Sequence, residues 1–431
     1  MPPNPSNGWQ HFPGRRFKLA AGKTVHLHSE EKLARFSTTA AKQLNKFGQQ
    51  PFRPLDHHVT IAACTLILNA LTRRNFMPDS VAGCLFGTAI GDALGLPYEA
   101  MNAKRASCLL GPPNRFRFVF GRGMMSDDTE HTCMVAQSLI ECGGNPDVFA
   151  RLLSRRFRWW LVAFPAGMGL ATLRACLRLW LCVPPDRSGV HSAGNGPAMR
   201  SAILGVCIDD PALLIQFVRA STRLTHTDSR AEAGALVIAI AAQTSRRAQQ
   251  VTAEEFFRRL RETRSELFKE DSELMQHLCR AAESVEQGIS TAEFADSLGR
   301  KGFVTGYINH TVPVAIHSWL SHPDDWMHAV QSVIVCGGDA DTTAAITGAV
   351  TGCRTGRAGI PEPLLKRFCD WPRTTDHIQK LADALTAVHW PPQPENTPVA
   401  PGVSALAIVL RNCVFLAVVL FHGLRRLLPP Y

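Results

Sequence analysis

Two segments of the chain carry a glycine or alanine at every fourth position. The positions are Gly83, Gly87, Gly91 and Gly95 in the first segment and Ala344, Gly348, Gly352 and Gly356 in the second. Four glycines inside one helix cost about 3–4 kcal/mol relative to alanine, so close approach of another backbone must compensate for the loss. We therefore predict two buried helices packed tightly at the centre of one domain, and packing against each other is one arrangement that satisfies both.

A transmembrane explanation of these stripes fails on charge. Small residues at every fourth position also occur where membrane helices associate. Here Asp92, Arg354 and Arg357 interrupt the apolar runs. The two striped helices are therefore expected in the core of a globular domain.

The net charge of +10 lies at the two ends of the chain. Residues 1–76 contain eleven Lys and Arg against three Asp and Glu, and residues 401–431 contain three Arg and no acid. The near-neutral middle argues against nucleic acid as a partner of the core. Arg115 and Arg117 alternate with three Phe, a pattern that can stack on single-stranded nucleic acid, but so short a run more often forms a strand or loop.

An all-α fold is indicated between residues 77 and 390, because apolar residues recur there every three or four positions and strand signals are sparse. The predicted helical stretches are 132–142, 148–163, 211–220, 231–242, 254–268, 273–286, 326–336 and 375–388. Hydrophobic residues make up 45% of the chain and charged residues 19%, which suits a globular protein with a substantial core.

The composition divides the chain into four parts. Residues 1–76 form a basic extension that is predicted to be largely disordered, since they are polar and lack periodicity. Residues 77–390 are the helical domain, residues 391–402 are a Pro-rich linker, and residues 403–431 are an apolar tail helix.

Thirteen scattered cysteines form neither a C-x-x-C pair nor a Cys/His cluster at zinc spacing. Such a set is typical of free thiols in a reducing compartment. The first residues also lack the charged-then-apolar pattern of a signal peptide. We therefore expect a cytoplasmic protein.

The apolar tail carries a one-sided polar stripe. Arg411 lies at its middle, where an Arg would cost about 2.5–3.5 kcal/mol in a bilayer core. On a helix, the polar residues fall within an arc of about 140°. They are Ser404, Arg411, Asn412, His422, Arg425 and Arg426. We expect this helix to lie on a membrane surface, as a peripheral contact, or in an apolar groove of the protein itself, and not to span a bilayer.

Candidate acidic ligands come from three separated segments. They are Asp92 and Glu99 at the end of the first striped helix, Ser126 to His131 at the start of an apolar helix, and Asp339 to Thr342 at the start of the second striped helix. Taken alone, each start is most simply a helix cap. Together they offer only oxygen ligands, which Mg²⁺ and Mn²⁺ prefer, and the adjacent Asp127 and Asp128 could each face one of two ions.

Two further segments are candidate ligand contacts. His191 to Arg200 is a glycine-rich loop that enters a helix with Pro197 in its first turn, so its backbone N–H groups could hold phosphate. An ordinary loop and cap explain this segment equally well. His226 precedes another helix, where a capping partner is the simpler explanation and a ligand contact the alternative.

Five motifs, in chain order, resemble those of the ADP-ribosylglycohydrolases: GTAIGDALGLPYE, SDDTEHT, GNGPAMR, LTHTDSRAEAGAL and GGDADTTAAITGAVTG. The resemblance covers residues 77–390, and the shared order of five motifs makes it specific. It implies a single large orthogonal helical bundle with a central dinuclear metal cleft that holds two Mg²⁺ or Mn²⁺ ions. It also implies hydrolysis of the glycosidic bond between ADP-ribose and a protein side chain or small acceptor.

The resemblance implies roles for particular residues. The metal shell would be Glu99, Ser126, Asp127, Asp128, Asp339, Asp341 and Thr342. The ADP-ribose site would be Ser192, Gly194, Asn195, Gly196 and His226. Asp127 or Asp128, with Glu99 as the next candidate, would move the proton to or from the leaving group.

Three positions depart from the family pattern. Ser126 replaces the usual Thr but keeps the hydroxyl, Ala340 stands where Thr is common, and Pro197 stands where Gly or Ala is usual. None of them removes a ligand, so an active enzyme is expected. The alternative is a catalytically inactive member that binds ADP-ribose or has a structural, crystallin-like role.

Overall fold

The computed structural model describes residues 79–263, 265–269, 272–388 and 398–426, together with 17–18 and 24–25. The chain forms two compact units, Met1–Ala70 and Leu71–Tyr431. In the first unit, strands β1 (Phe17–Lys18) and β2 (Thr24–Val25) pair antiparallel. The predicted disorder of residues 1–76 otherwise concerns residues outside the described part, as does most of the predicted linker.

The second unit is built from helices, as the all-α prediction required. Its first half contains α1 (79–95), α2 (Ala103–Leu110), α3 (Asp127–Glu141), α4 (Pro146–Val162), α5 (Leu170–Trp180), α6 (Gly196–Met199), α7 (Ala202–Cys207), α8 (Pro211–Arg223) and α9 (Ser229–Arg247). Its second half contains α10 (Ala253–Thr263), α11 (Glu273–Glu286), α12 (Thr291–Leu298), α13 (Ile308–Ser321), α14 (Trp326–Ile334), α15 (Ala340–Thr355), α16 (Glu362–Arg367), α17 (Thr375–Ala387) and α18 (Ala405–Arg425).

The two glycine-striped helices, α1 and α15, pack directly against each other, which confirms the predicted close approach. A Cβ built on Gly87 would lie 2.1 Å from the Gly348 carbonyl oxygen. Likewise, a Cβ on Gly95 would lie 2.4 Å from the Ala340 carbonyl oxygen. Because residue numbers rise in α1 as they fall in α15, the helices are antiparallel. The end of α1 therefore meets the start of α15.

A short pair of strands anchors the backbone just before α15. Strand β3 (Met101–Asn102) pairs antiparallel with β4 (Gly337–Gly338). Gly338 has φ of 81°, and a Cβ on it would lie 1.9 Å from the Val304 carbonyl oxygen. Only glycine fits there, because the left-handed conformation and the close backbone both exclude a side chain. The pairing fixes the direction from which the chain enters Asp339.

Some helices that the structure contains carry no clear periodic signal. Helix α13 has Pro313 in its interior, which removes one backbone donor. The carbonyl oxygen of Asn309, four residues earlier, instead accepts a hydrogen bond from Nδ1 of His277 at 2.9 Å. The predicted helix over 254–268 ends sooner, at Thr263. The Phe-Arg run forms a loop with a helical turn at Val119–Gly121, in which Phe118 is buried and Phe120 exposed.

Among the described residues, two helical segments are long and apolar enough to cross a membrane by length and composition: Asp79–Tyr98, whose apolar stretch is buried in the fold, and α18. Helix α18 is docked on the domain through its polar residues. Arg411, Asn412 and His422 are buried, whereas most of its large apolar residues, with the exception of Phe415, face outward. The orientation is therefore the reverse of that of an ordinary surface helix.

We predict that the substitution Gly87→Ala destabilises the fold by about 3 kcal/mol or more, because backbone packed on backbone cannot move aside. Gly423→Ala in α18 is the matched control, since its Cβ would meet nothing within 4 Å. The control should be neutral, or stabilising by up to about 1 kcal/mol through helix propensity. Urea unfolding measures both free energies, and equal values for the two variants would contradict the packing.

Candidate active site

Glu99 reaches the site from the end of the glycine seam, the contact of α1 with α15. Helix α1 runs into a one-turn helix, Leu96–Tyr98, and Glu99 closes this turn. Asp339 and Asp341 begin α15 at the same end of the seam. Antiparallel packing of the two helices is therefore what brings these three carboxylates together.

Asp92 of α1 holds the segment that carries Ser126, Asp127 and Asp128. Its carboxylate accepts hydrogen bonds from the Ser126 backbone N–H at 2.9 Å and from the Thr129 hydroxyl at 2.5 Å. Burial raises the pKa of Asp92 to about 6, although the hydrogen bonds from Thr129 and Ser126 oppose this rise. Asp92 thus caps α3 from a neighbouring helix and positions the acidic segment.

The second and third acidic segments meet through side-chain contacts. The Ser126 hydroxyl donates to Oδ2 of Asp128 at 3.0 Å, and the Thr342 hydroxyl donates to the same oxygen at 3.3 Å. Asp339 accepts a hydrogen bond from the Asn195 side-chain amide at 2.7 Å. Residues far apart in sequence therefore share one site, with Asn195 joining the glycine-rich loop to the acids.

The residues that the resemblance assigns to the metal shell and the ADP-ribose site all line one cleft of about 540 Å³, whereas the candidate acids Asp92 and Glu130 are not among its lining residues. From the acidic segments it contains Glu99, Ser126, Asp127, Asp128, Asp339, Asp341 and Thr342. From the loops it contains Ser192, Gly194, Asn195, Gly196 and His226. The wall also includes residues that the sequence did not single out, among them Leu170, Thr305, Gly306, Phe415 and Val419.

The acids of the cleft raise one another's pKa. Burial, followed by repulsion from Asp339, raises the pKa of Glu99 to about 7. Burial also raises the pKa of Asp341 well above its usual range, and Glu99 is the next cause. The pKa values of Asp127 and Asp128 rise in the same way, first through burial and then through Asp92. A cluster of this kind binds either protons or cations.

The donor set fits hard divalent cations. Oδ1 of Asp128 and Oδ1 of Asp341 are buried without a hydrogen-bond partner, which is costly for a carboxylate oxygen unless a cation or water contacts it. Within the described part of the chain, no three His, Cys, Asp or Glu side chains already stand in metal-coordinating geometry. The acids therefore lie near one another but would need side-chain adjustment to coordinate an ion.

The glycine-rich loop is fixed between two other segments. Val190 pairs with His226 and Gly194 pairs with Tyr307 as isolated bridges, and the Asn195 N–H donates to the Gly306 carbonyl oxygen at 3.0 Å. A Cβ on Gly194 would lie 3.1 Å from Nε2 of His226, so the imidazole packs on the loop backbone.

His226 enters the cleft as a neutral ring. Burial, and then the charge of Arg200, lower its pKa to about 3, and its Nδ1 lies 2.8 Å from the Thr225 hydroxyl. Arg200 is fully buried and donates to the Ser221 carbonyl oxygen at 2.9 Å. Arg200 thus braces the loop behind the cleft, while His226 remains able to accept or donate one hydrogen bond through Nε2.

The fold and the motifs define the class of protein. The family model described as ADP-ribosylglycohydrolase matches residues 73–395. The chain belongs to the ADP-ribosylglycohydrolase family and is, by that membership, a glycosyl hydrolase.

The chain matches several relatives over almost the whole of their length. An uncharacterised protein of Archaeoglobus fulgidus is 29% identical over 73% of this chain and 98% of its own length. ADP-ribosylhydrolase ARH3 of Gallus gallus is 25% identical, with coverage of 73% and 95%. ADP-ribosyl-dinitrogen reductase glycohydrolase of Rhodospirillum rubrum is 26% identical, with coverage of 72% and 96%.

A solved structure supports the fold independently. It is an ADP-ribosylglycohydrolase-related protein complex with a TM-score of 0.54 and 23% identity. The match covers 73% of this chain and 99% of the other. At this identity the likeness concerns the helical architecture alone.

We predict that the stability contributed by protonated Glu99 is present below about pH 4.5 and is lost as the pH rises to about 7. Its folded pKa of about 7 exceeds the ordinary value of 4.5, so the folded state holds the extra proton in this window. The free energy of unfolding of the EDTA-treated wild type, minus that of Glu99→Gln, should fall by about 3 kcal/mol between pH 4.5 and pH 8. Buried histidines titrate alike in both proteins and cancel, and a difference independent of pH would contradict the shift.

Proposed function

We propose that this protein hydrolyses the glycosidic bond joining ADP-ribose to a protein side chain or small acceptor, at a site with two divalent cations, Mg²⁺ or Mn²⁺. The observation that carries the proposal is the meeting of three acidic segments in the same cleft as the glycine-rich loop. Family membership supplies the reaction class. The cleft supplies oxygen ligands for the cations and, in its loops, a place for the nucleotide.

The candidate ligands are the acidic and hydroxyl residues of the three acidic segments that line the cleft. They are Glu99, Ser126, Asp127, Asp128, Asp339, Asp341 and Thr342. Two cations bound there would offset the repulsion among the acids, polarise ribose hydroxyls and make a water molecule acidic near neutral pH. Hydrogen bonds within the set keep Asp128 facing Thr342 and keep Asp339 facing Asn195.

The reaction breaks the bond between the anomeric carbon and the acceptor and adds the elements of water across it. The attacking water must give up a proton as its oxygen bonds to the anomeric carbon, and a proton must reach the leaving nitrogen or oxygen. Asp127 and Asp128 are the first candidates for moving this proton. Glu99 is the next candidate, because it lines the same cleft beside them.

The glycine-rich loop and His226 are proposed to hold ADP-ribose. Ser192, Asn195 and His226 offer side-chain hydrogen bonds, while Gly194 and Gly196 allow close approach of the ligand to the backbone. The neutral His226 ring suits a neutral hydroxyl or amide of the ligand. Asn195 of this loop donates a hydrogen bond to Asp339. A bound ADP-ribose can therefore place the ribose that carries the acceptor next to the acidic residues.

We predict that replacing both Asp339 and Asp341 by Ala abolishes cation-dependent release of ADP-ribose, a loss of at least about 1000-fold, because the oxygen ligands at the start of α15 are removed. Asp147→Asn is the control, since Asp147 is exposed in the first turn of α4 and does not line the cleft. Release is followed with Mg²⁺ and a panel of ADP-ribosylated arginine, serine and DNA substrates. Wild-type turnover by the double variant would refute the assignment.

The same experiment distinguishes an active hydrolase from a catalytically inactive family member. An ADP-ribose-binding or crystallin-like protein would bind the ligand, or remain folded, without releasing ADP-ribose from any substrate at any cation concentration. The complete acidic set favours the active enzyme. The panel also identifies the acceptor.

We further propose a cytoplasmic protein that contacts membranes peripherally through α18. Free thiols at the exposed Cys108, Cys182 and Cys279 suit a reducing compartment. The outward face of α18 is apolar over its whole length: Leu406, Leu410, Val414, Leu420, Phe421 and Leu424 are each at least 52% exposed. Such a continuous exposed face on a 21-residue helix indicates a partner surface.

The surroundings of this face favour an anionic bilayer. A groove beside α18 is lined by Phe120, which is fully exposed, and by Arg115, Arg117, Arg367 and Arg425, with no acid among its lining residues. Arginine attracts anionic headgroups by about 1 kcal/mol each near a membrane surface. The buried polar residues of α18, Arg411, Asn412 and His422, are used within the domain, so the helix can lie on the bilayer without crossing it.

We predict that the protein sediments with vesicles of phosphatidylcholine and phosphatidylserine, but not with phosphatidylcholine alone, and that salt weakens the binding. The double substitution Leu420→Glu and Phe421→Glu should abolish sedimentation, because it places two charges on the apolar face. Leu181→Glu, at a leucine that lies just after α5 and is more exposed than either residue, is the control. Unchanged binding of the double variant would exclude this face as the contact.

A further inference from the structure

Helix α18 lies beyond residue 395, where the match to the family ends, yet it contacts the acidic cleft. Five of its residues, or residues just after it, share one face at intervals of four, four, three and four. They are Arg411, Phe415, Val419, His422 and Arg426. Each contacts a segment that carries candidate ligands, or lines the cleft itself, so this inner face of α18 behaves as part of the site.

Arg411 braces the start of the Ser126 segment. It is 4% exposed and forms an ion pair with Asp370 at 2.6 Å. Asp370 accepts a hydrogen bond from the Met125 N–H at 2.9 Å, and Arg411 donates to the Met125 carbonyl oxygen. Met125 directly precedes Ser126, so both polar groups of the residue before the acidic segment are held by this pair.

Arg426 and His422 brace the turn that carries Glu99. The Arg426 guanidinium donates to the Glu99 carbonyl oxygen at 2.8 Å and to the Pro97 carbonyl oxygen at 2.7 Å. Nε2 of His422 donates to the same Pro97 oxygen at 3.2 Å. The forked geometry of one guanidinium thus fixes two carbonyl groups of one turn.

The residues between these two anchors form part of the cleft wall. Phe415 and Val419 line the cleft, and Phe415, about three helical turns before Arg426, packs with the buried Leu96. The Arg411 guanidinium lies over the Phe415 ring, 4.2 Å from its centre. One continuous helical face therefore holds both acidic segments and closes the space between them.

We propose that α18 is a positioning element of the active site, which holds the Ser126 and Glu99 segments at the separation that cation binding requires. The proposal rests on the proposed cation site. Residues that orient metal ligands from behind affect metal affinity about 10- to 100-fold when they are removed. Arg426 and His422 act through the backbone of the Glu99 turn, and Arg411 acts through Met125.

The test compares Mg²⁺ binding, by titration calorimetry, of the wild type, Arg426→Met and the control Arg425→Met. Arg425 is the exposed neighbour of Arg426 at the end of the same helix. Arg426→Met should weaken Mg²⁺ binding about tenfold, whereas the control should not change it. The direction of the change in Mg²⁺ affinity distinguishes positioning from charge, because loss of a positive charge beside Glu99 and Asp341 would by itself strengthen cation binding.

The outcomes separate this inference from the function on which it rests. Absence of Mg²⁺ binding by the wild type would refute the proposed cation site, and with it the inference. Binding by the wild type with equal or tighter binding by Arg426→Met would refute the positioning role alone. The circular dichroism spectrum and the unfolding midpoint of the EDTA-treated variants establish that the compared proteins are folded.

A second variant tests the wall independently of the anchors. Val419→Trp should raise KM for an ADP-ribosylated protein several-fold, because it fills part of the cleft, and leave the Mg²⁺ affinity unchanged. An unchanged KM would show that this part of α18 lies outside the path of the substrate. A weakened Mg²⁺ affinity would show that Val419 acts on the acids and does not form a wall.

Discussion

The backbone contact between α1 and α15 is the constraint on which the rest of the structure depends. Glycine at every fourth position lets the Gly87 and Gly348 backbones approach more closely than any side chain would permit. Because the helices are antiparallel, the end of one and the start of the other come to the same place. Glu99, Asp339 and Asp341 are thereby collected without any long loop. The seam also explains why the acids are buried, since helices packed this closely leave little room for water around their ends.

Buried carboxylates need hydrogen-bond donors or cations to replace the water they lose, and the fold supplies donors for only some of them. Asp92 is satisfied by the N-terminus of α3, where N–H groups and the helix dipole favour negative charge. Asp128 and Asp341 each keep one buried oxygen without a partner. Capping and ligation are therefore not competing explanations of the same motif. Within Ser126 to Thr129, the backbone is held by Asp92, and that arrangement leaves Asp127 and Asp128 directed toward the cleft.

The sequence predicts the parts of the molecule that obey local rules. The two striped helices follow from glycine spacing, and most other helices follow from apolar periodicity. Helix α13 was not predicted, because Pro313 would ordinarily interrupt a helix. Here the Asn309 carbonyl oxygen accepts its hydrogen bond from His277, a residue on another helix. The candidate residues were identified from motifs, but their common cleft is a property of packing. Arg426 could not be predicted as a neighbour of Glu99, because their contact depends on the docking of α18, more than 300 residues further along the chain.

The orientation of α18 follows from the cost of burying its polar groups. A buried arginine is tolerated only when it is paired, and Arg411 finds Asp370 and the Met125 carbonyl oxygen at the edge of the cleft. If the helix were turned to hide its leucines, Arg411 and Asp370 would both lose their partner. The exposed apolar face is thus the consequence of an inner face that the acidic segments require. A bilayer that covered the leucines would stabilise the same orientation, so membrane contact and the arrangement of the cleft would reinforce each other.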